Sequence, residues 1–192
     1  IFVLIFLIAV TVLDAKQALA VTPTERLKLG ALNAQTIVNN TDLGDEQKSK
    51  RLLAEMTSLF DFEYMTKKAL AAHYTEERAQ KIAPLFARLL LVVYFKRVQT
   101  AFSENASLQY TGERMKVRGI DGMAIAIVNT EINMKGAVSS VEFKMHEVHG
   151  KWKIYDIASE NISLISNYRS QFDRIIRKNS FDGLIDELNK KN

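Results

Sequence analysis

Residues 139–157 read SSVEFKMHEVHGKWKIYDI, and apolar and polar side chains alternate along this stretch. Alternation with a period of two indicates a β-strand with one buried face, because successive side chains of a strand point to opposite faces. His149-Gly150 interrupts the alternation, and such a pair is typical of a tight hairpin turn. The stretch therefore predicts two antiparallel strands, residues 139–148 and 151–157.

The period of two extends upstream from this hairpin. Residues 108–110, 115–118 and 123–133 alternate or are β-branched, and Asp121-Gly122 is a second hairpin signal. We therefore expect four or more antiparallel strands that form a curved sheet.

Helical patterns occupy the chain before the predicted sheet. Residues that commonly cap or open helices stand at Thr22, Asp45 and Thr75, and apolar residues follow each of them at helical spacing. Residues 60–72 read as a further short helix. The helix that begins at Thr75 is expected to end near Ser103.

Two features mark this fourth predicted helix. Pro84 lies well inside it, where proline removes a backbone hydrogen bond, so we expect a kink or a fresh helix start. Residues 89–95 read LLLVVYF and are apolar on every face. We therefore expect this segment to have packing partners on more than one side.

The pattern after the sheet returns to helix. Apolar residues recur at helical spacing in residues 162–176 and again in residues 181–188. Helices followed by a meander of strands and then by helices are typical of an α+β domain. We predict one such domain over residues 21–192, and the composition of 47% hydrophobic and 25% charged residues is that of an ordinary globular protein.

Residues 1–20 differ in character from the rest of the chain. Residues 1–12 form an unbroken apolar run that matches a signal-peptide core and is too short to cross a bilayer as a helix. Ala18 and Ala20 then supply the small residues that a signal peptidase requires. No initiator Met or basic segment is present, so we expect further residues before the first. We predict a cleavable signal peptide, the alternatives being a truncated membrane anchor or a buried strand.

Charge and cysteine content narrow the function classes. The net charge of +4 is spread along the chain and favours anionic surfaces weakly. The absence of cysteine excludes disulfides, zinc–thiolate sites, cysteine nucleophiles and iron–sulfur clusters. An exported chain without cysteine fits a bacterial periplasm better than a eukaryotic secretory route, where small domains usually carry disulfides. We therefore expect a periplasmic protein.

Four linked segments near the C-terminus resemble one known family. They read WKIYDI at 152–157, ENISL at 160–164, NYRSQF at 167–172 and FDGLI at 181–185. Their order and spacing are similar to the MlaC family, the toluene-tolerance auxiliary proteins of ABC transport. FDFEYMT at 60–66 agrees with the family's short helix.

The resemblance covers nearly all of the chain after residue 20, and it implies a periplasmic phospholipid carrier. It implies shuttling between an outer-membrane lipoprotein–porin complex and an inner-membrane ABC transporter complex, which maintains outer-membrane lipid asymmetry. We expect a monomer without a cofactor. Asn161 stands where the family has glycine, so the turn there needs a left-handed or capping residue that Asn also provides. A hopanoid-associated branch shares the pattern, so a hopanoid-related lipid is an alternative cargo.

A carrier of this kind needs an apolar cavity between the sheet and the helices. Two acyl tails represent on the order of 20 kcal/mol of exposed methylenes, at about 0.8 kcal/mol each, so both must be enclosed while the headgroup stays in water. For each candidate the alternative is a closed core. The candidate lining residues are Phe86, Leu90, Val93, Val117, Ile125, Ile127, Val141, Phe143, Tyr155, Ile157, Ile165, Tyr168 and Phe172.

Patterns typical of catalysis are missing from the sequence. Residues 146–149 read HEVH, which is not the metalloprotease spacing, and we expect a solvated hairpin end rather than a metal site. His73 reads as a cap or surface residue, and Asp61 and Glu63 read as helix-end caps. Neither a nucleophile motif nor a glycine-rich phosphate loop is present. We therefore predict neither an enzyme nor a metal-binding protein.

Basic residues cluster at Lys67-Lys68, at Lys96-Arg97 and in residues 174–178. Acidic residues interrupt them, and the predicted signal peptide would export the protein from the cytoplasm, away from nucleic acid. We therefore expect no nucleic-acid partner. These side chains either contact anionic headgroups or acidic partner surfaces, or form solvated helix faces. A non-carrying envelope adaptor with a closed core is the remaining alternative.

Overall fold

The computed structural model describes residues 21–103, 106–118 and 123–191. The predicted signal peptide, residues 1–20, and the Asp121-Gly122 turn lie outside these ranges. Within them, helices precede an antiparallel sheet and a helix follows it, so the predicted α+β fold is confirmed. None of the described helices combines the length and the apolar character that crossing a bilayer requires.

The described elements follow one another with short connections. A single 3-10 turn, Ala71–His73, separates the third helix from the fourth. The elements are α1 (Pro23–Asn39), α2 (Asp45–Leu59), α3 (Phe62–Leu70), α4 (Glu76–Ser103), β1 (Ser107–Arg118), β2 (Met123–Met134), β3 (Ala137–Val148), β4 (Lys151–Ser159), β5 (Ile162–Ser163) and α5 (Leu164–Lys190).

The helix starts expected from the sequence are present. Thr22 forms a capping box with Glu25: the Glu25 N–H donates to the Thr22 hydroxyl at 3.2 Å, and the Thr22 N–H donates to the Glu25 carboxylate at 2.8 Å. At α4 the Thr75 hydroxyl accepts from the Arg78 N–H at 3.2 Å. Such caps satisfy N–H groups that the first turn of a helix leaves unpaired.

Helix α4 runs through Pro84 as one helix, so the alternative of a fresh start at the proline is wrong. Pro84 is exposed, whereas Ile82, Ala83 and Phe86 around it are buried. Tertiary packing of these neighbours holds the helix together across the hydrogen bond that proline cannot make.

The apolar run on α4 is buried over only part of its surface. Leu89, Leu90 and Leu91 are buried, but Val92 and Val93 are 50% and 42% exposed. Leu89 and Leu90 pack with α3 and α5, and Leu91 packs with α1 and α2, so this segment has packing partners on more than one side, as expected.

The sheet has the strand order β1-β2-β3-β4-β5, with antiparallel neighbours throughout. His149 and Gly150 join β3 to β4 with φ values of 50° and 74°, as a type I′ turn requires. The predicted hairpin is thus confirmed. Lys135 and Gly136 make the β2–β3 turn in the same conformation, with φ values of 53° and 85°.

Two register shifts modify the sheet. One lies between Tyr110 and Gly112 of β1, and the other between Lys144 and Met145 of β3. Bulges of this kind bend a strand and increase its twist. The inner face of the sheet packs against Leu27 of α1 and Leu59 of α2.

Apolar side chains collect in three clusters. The helical core joins α3, α4 and α5 around Phe86 and Phe172. The sheet core joins α1 and α2 to the inner face of the sheet and contains Met145 and Ile154. A smaller α1–α2–α4 cluster contains Leu52.

The last helix is interrupted as the sequence indicated. Ser180 has φ 69° and ψ 177° inside α5, which divides the helix into two segments. They match the two apolar-faced segments expected after the sheet. Asn161, in the β4–β5 turn, has φ 65°, so it supplies the left-handed conformation expected of it.

Candidate functional site

A cavity of about 720 Å³ lies where the three apolar clusters meet. Ligand pockets commonly occupy about 300–1,000 Å³ and are mostly apolar with a few polar groups. The cavity follows that description, since most of its lining residues are apolar and belong to α1, α2, α4 and the sheet.

Small residues on α1 help to create this space. Gly30, Ala31 and Ala34 all line the cavity. Gly30 also lets α1 approach α2, because a Cβ atom there would lie 2.5 Å from Cδ2 of Leu59. The wall that α1 and α2 form is therefore close-packed at Gly30 and open beside the two alanines.

The inner face of the sheet forms the opposite wall. Ile132 of β2, Val141 and Phe143 of β3, and Ile154 and Ile157 of β4 line the cavity. Phe143 pairs directly with Ile157 across the two strands, so their side chains share this face. The wall is apolar and fixed by the backbone ladder.

One charged residue inside the cavity wall is neutralised. Glu55 of α2 lies 4.0 Å from the Arg26 guanidinium and accepts a hydrogen bond from the Asn33 amide at 3.2 Å. Both charged side chains are 19% exposed. The pair ties α2 to α1 beside the cavity.

The other polar lining residues are exposed and define a mouth. Arg97 comes from α4, and Ser159, Glu160 and Asn167 come from the end of β4 and the start of α5. Ile162, which also lines the cavity, is 60% exposed beside them. The cavity thus has apolar walls inside and mixed charges where it opens to solvent.

Four of the predicted lining residues do lie on the cavity wall. They are Leu90, Val141, Phe143 and Ile157. Their contact with a lipid stays a prediction.

Four others, Phe86, Ile165, Tyr168 and Phe172, belong to the helical core instead. Ring centroids of Phe86 lie 4.8 Å from Tyr168 and 5.4 Å from Phe172, so these aromatic side chains close on one another. Burial raises the pKa of Tyr168 to about 12, with Tyr94 adding to the shift. Helical periodicity identified their burial correctly, but it does not distinguish which of two interiors a helix face meets.

The two isoleucines of β2 that were predicted to line the cavity face away from it. Ile125 and Ile127 alternate with Ala126 and Val128, which are fully buried in the sheet core. Apolar side chains lie on both faces of this strand, so the period of two could not show which face points inward. Ile125 and Ile127 therefore lie outside the described cavity wall.

Of the remaining three predicted residues, Val93 and Tyr155 fall outside the cavity wall. Val93 is largely exposed on α4. Tyr155 packs its ring 5.5 Å from Tyr64 and 5.2 Å from His146, on the α3 side of β4. The side chain of Val117 lies outside the described part, although its backbone pairs with Ala124.

Sequence reasoning missed the wall that α1 and α2 provide. Ala31 and Ala34 were expected on the apolar face of the first helix, and Leu52 and Met56 on that of the second, yet none was expected to line a cavity. A helix face that combines alanines with a glycine leaves space opposite it. That small-residue pattern was the available signal.

A hydrogen-bonded histidine and aspartate outside the cavity correct the reading of the HEVH segment. His146 is 2% exposed, not solvated, and its Nε2 lies 2.9 Å from Oδ2 of Asp61. Asp61 also caps α3 as expected, accepting from the Tyr64 N–H at 2.9 Å. The His146 Nδ1 faces the Met123 sulfur at 3.2 Å rather than a hydroxyl or thiol. The pair therefore ties α3 to β3 and has no nucleophile beside it.

His73 is half-buried and lies 2.8 Å from Oδ1 of Asp173, so it links the 3-10 turn to α5. The sequence predicted only a cap or a surface residue, whereas the structure shows a contact between two distant elements. In the described part of the chain, no three His, Asp or Glu side chains come together as metal ligands would.

Asp61 provides a test of how pH acts on the fold. Burial raises the pKa of Asp61, but hydrogen bonds from His146 and the Tyr64 N–H outweigh it and hold the pKa below the ordinary 3.8. The stabilising effect of the carboxylate is therefore complete well above pH 3.8 and is lost as the pH falls through the lower folded-state value. We expect Asp61→Asn to cost about 1–2 kcal/mol at pH 7, since it keeps the cap but loses the charge.

The measurement is urea unfolding of both proteins between pH 7 and pH 3. The difference in unfolding free energy should shrink as the pH falls below 3.8. Asp42→Asn, at an exposed position, is the matched control and should change little. If Asp61→Asn lowered the unfolding free energy by the same amount at pH 7 and at pH 3, the result would contradict a stabilising role for the ionised Asp61 carboxylate.

Three comparisons place this fold and cavity among known proteins. The family model described as MlaC protein matches residues 32–190. Toluene tolerance protein ttg2D of Pseudomonas putida is 26% identical over 91 residues, which are 46% of this chain and 42% of that protein's length. A solved phospholipid-binding protein from Ralstonia solanacearum, in complex with a phospholipid, superposes with a TM-score of 0.72 at 24% identity.

The superposition covers 86% of this chain and 94% of the Ralstonia chain, so the two proteins share their fold. The aligned part of the Pseudomonas relative spans less than half of that protein. The family model covers most of this chain, from the middle of α1 to the end of α5. The chain belongs to the MlaC family.

Proposed function

We propose that this protein is a periplasmic phospholipid carrier that encloses acyl tails in the cavity between the sheet and the helices. The observation that carries the proposal is the cavity of about 720 Å³ with apolar walls and a polar mouth. A closed core, as a non-carrying adaptor would have, would not leave this volume empty, because protein interiors are close-packed.

The energetics of the cargo fit this arrangement. At about 0.8 kcal/mol per methylene, enclosed tails gain on the order of 20 kcal/mol relative to tails in water. The apolar walls from α1, α2, α4 and the sheet supply the enclosure. The headgroup then stays at the mouth, where the exposed polar residues lie.

The comparisons support the class of cargo. The Ralstonia protein that shares this fold is described as bound to a phospholipid. Membership of the MlaC family supports transfer between an outer-membrane lipoprotein–porin complex and an inner-membrane ABC transporter complex, and through it the maintenance of outer-membrane lipid asymmetry. The apolar run and the Ala-x-Ala end within residues 1–20 support export to the periplasm.

We further propose that binding and release are the whole activity, without catalysis or a cofactor, and that the carrier acts as a monomer. One observation supports the absence of catalysis. The Asp61–His146 pair lies outside the cavity and has no nucleophile beside it.

Native mass spectrometry of the protein purified from a bacterial periplasm tests the proposal. We expect a complex whose added mass equals one phospholipid, and uptake of labelled phospholipid from vesicles by the emptied protein. A bound mass equal to a hopanoid would instead support the alternative cargo. A preparation without any lipid and without uptake would refute the carrier function.

A further inference from the structure

We infer that the mouth of the cavity selects a zwitterionic phospholipid headgroup, with Arg97 binding the phosphate and Glu160 binding the cationic amine. This inference rests on the proposed carrier function and adds the chemical class of the headgroup. It starts from the charges that the cavity presents to solvent.

The charged residues of the cavity wall are Glu55, Arg97 and Glu160. Glu55 has an ion-pair partner within the protein, since its carboxylate lies 4.0 Å from the Arg26 guanidinium. Arg97 and Glu160 are exposed, and within the described part of the chain neither forms an ion pair with another side chain. One positive and one negative group are thus left for a ligand.

Arg97 is held beside the cavity by an aromatic ring. Its guanidinium carbon lies 5.5 Å from the centroid of Tyr94, and Tyr94 itself lines the cavity. A cation over an aromatic face is attracted by the ring and keeps its N–H donors available. Guanidinium is well suited to phosphate, because its donors match the spacing of the phosphate oxygens.

Glu160 is held by the backbone of the β4–β5 turn. Ser159 pairs with Ile162 across the turn, and Glu160 has φ 51° between them. A glutamate in the left-handed region is uncommon, since side chains other than Gly, Asn and Asp disfavour it. Glu160 and Asn161 share this conformation with the two other hairpin turns of the sheet, at Lys135-Gly136 and His149-Gly150. The turn fixes the backbone of Glu160 beside the cavity, whose wall includes this residue.

Charge complementarity decides between headgroup classes. A zwitterionic headgroup carries one phosphate and one amine, which match Arg97 and Glu160. A headgroup with a phosphate but no amine would pair with Arg97 and leave Glu160 beside additional negative charge. Discrimination by an unpaired or repelled charge is a common source of specificity.

Competition between two lipids tests the inference. The emptied protein is incubated with vesicles that contain equal amounts of phosphatidylethanolamine and phosphatidylglycerol, and the bound lipids are identified by mass spectrometry. We expect phosphatidylethanolamine to be bound at least about threefold more often, the size that an exposed charge pair supports. Glu160→Gln should bring the ratio toward one, and Glu160→Lys should invert it. Glu147→Gln, at an exposed position away from the cavity, is the matched control.

Arg97→Gln should lower the loading of both lipids, because both carry a phosphate. Arg88→Gln, exposed on the same helix and outside the cavity wall, should leave loading unchanged. Equal loading of both lipids by the unaltered protein, or a ratio that Glu160→Lys does not move, would overturn the headgroup assignment and leave the carrier function standing. An unaltered protein that binds neither lipid would overturn both.

Discussion

Val141→Trp is expected to lower phospholipid occupancy of the purified protein more than tenfold. Val141 lies on the sheet wall of the cavity, opposite α1 and α2. An indole ring there takes the place of several tail methylenes, and losing the burial of about three of them costs roughly 2–3 kcal/mol of binding free energy. Lipid content per mole of protein, measured by mass spectrometry after vesicle uptake, reports the loss.

The same substitution at Ile127 is the control. Ile127 lies on β2 but on the opposite face from the cavity wall. Ile127→Trp should therefore leave lipid occupancy close to that of the unaltered protein. Circular dichroism melting checks that both variants fold cooperatively. Equal lipid loss in both variants, or no loss in either, would contradict the described position of the cavity.

Phe86→Ala should produce the largest loss of stability among single substitutions considered for this protein. Phe86 is fully buried between Tyr168 and Phe172 in the helical core. Truncating a buried phenylalanine to alanine typically costs about 3–5 kcal/mol, because it removes apolar contacts and leaves a void. For a chain of this size the melting temperature should fall on the order of 10 °C.

A lipid measurement on this variant separates stability from binding. Phe86 does not line the cavity, so the folded fraction of Phe86→Ala should still take up phospholipid at low temperature. Val93→Ala, on the same helix at a 42% exposed position, is the matched control and should change stability by less than about 0.5 kcal/mol. Complete loss of uptake by folded Phe86→Ala would place the helical core in the binding site.

The order of elements could be predicted from the sequence because each signal is local. The cap at Thr22, the acidic start of α2 at Asp45, the turn at His149 and the positive φ of Asn161 all depend on a few neighbouring residues. Pro84 was the exception. The burial of its neighbours, which is a property of the assembled helices, overrode the local preference against proline.

The cavity could be predicted only in part, because its walls depend on long-range packing. On β3 the alternation is clear, and Val141 and Phe143 lie where the pattern placed them. On β2 apolar side chains lie on both faces of the strand, and the two residues predicted to line the cavity lie on the outer face. On α4 and α5 the apolar faces exist as expected, but Phe86, Tyr168 and Phe172 meet one another in the helical core, whereas Leu90 of α4 lies on the cavity wall.

The aromatic centre of the helical core lies away from the cavity wall, and this bears on how loading and release of cargo affect the molecule. Phe86, Tyr168 and Phe172 pack on one another, and none of the three lines the cavity. The cavity is bordered instead by α1 and α2, whose smaller cluster around Leu52 ties them to α4. Local openings of low free energy arise where apolar packing is thin. If the protein carries a lipid as proposed, we therefore expect the α1–α2 side, rather than the aromatic centre of the helical core, to move when the tails enter and leave.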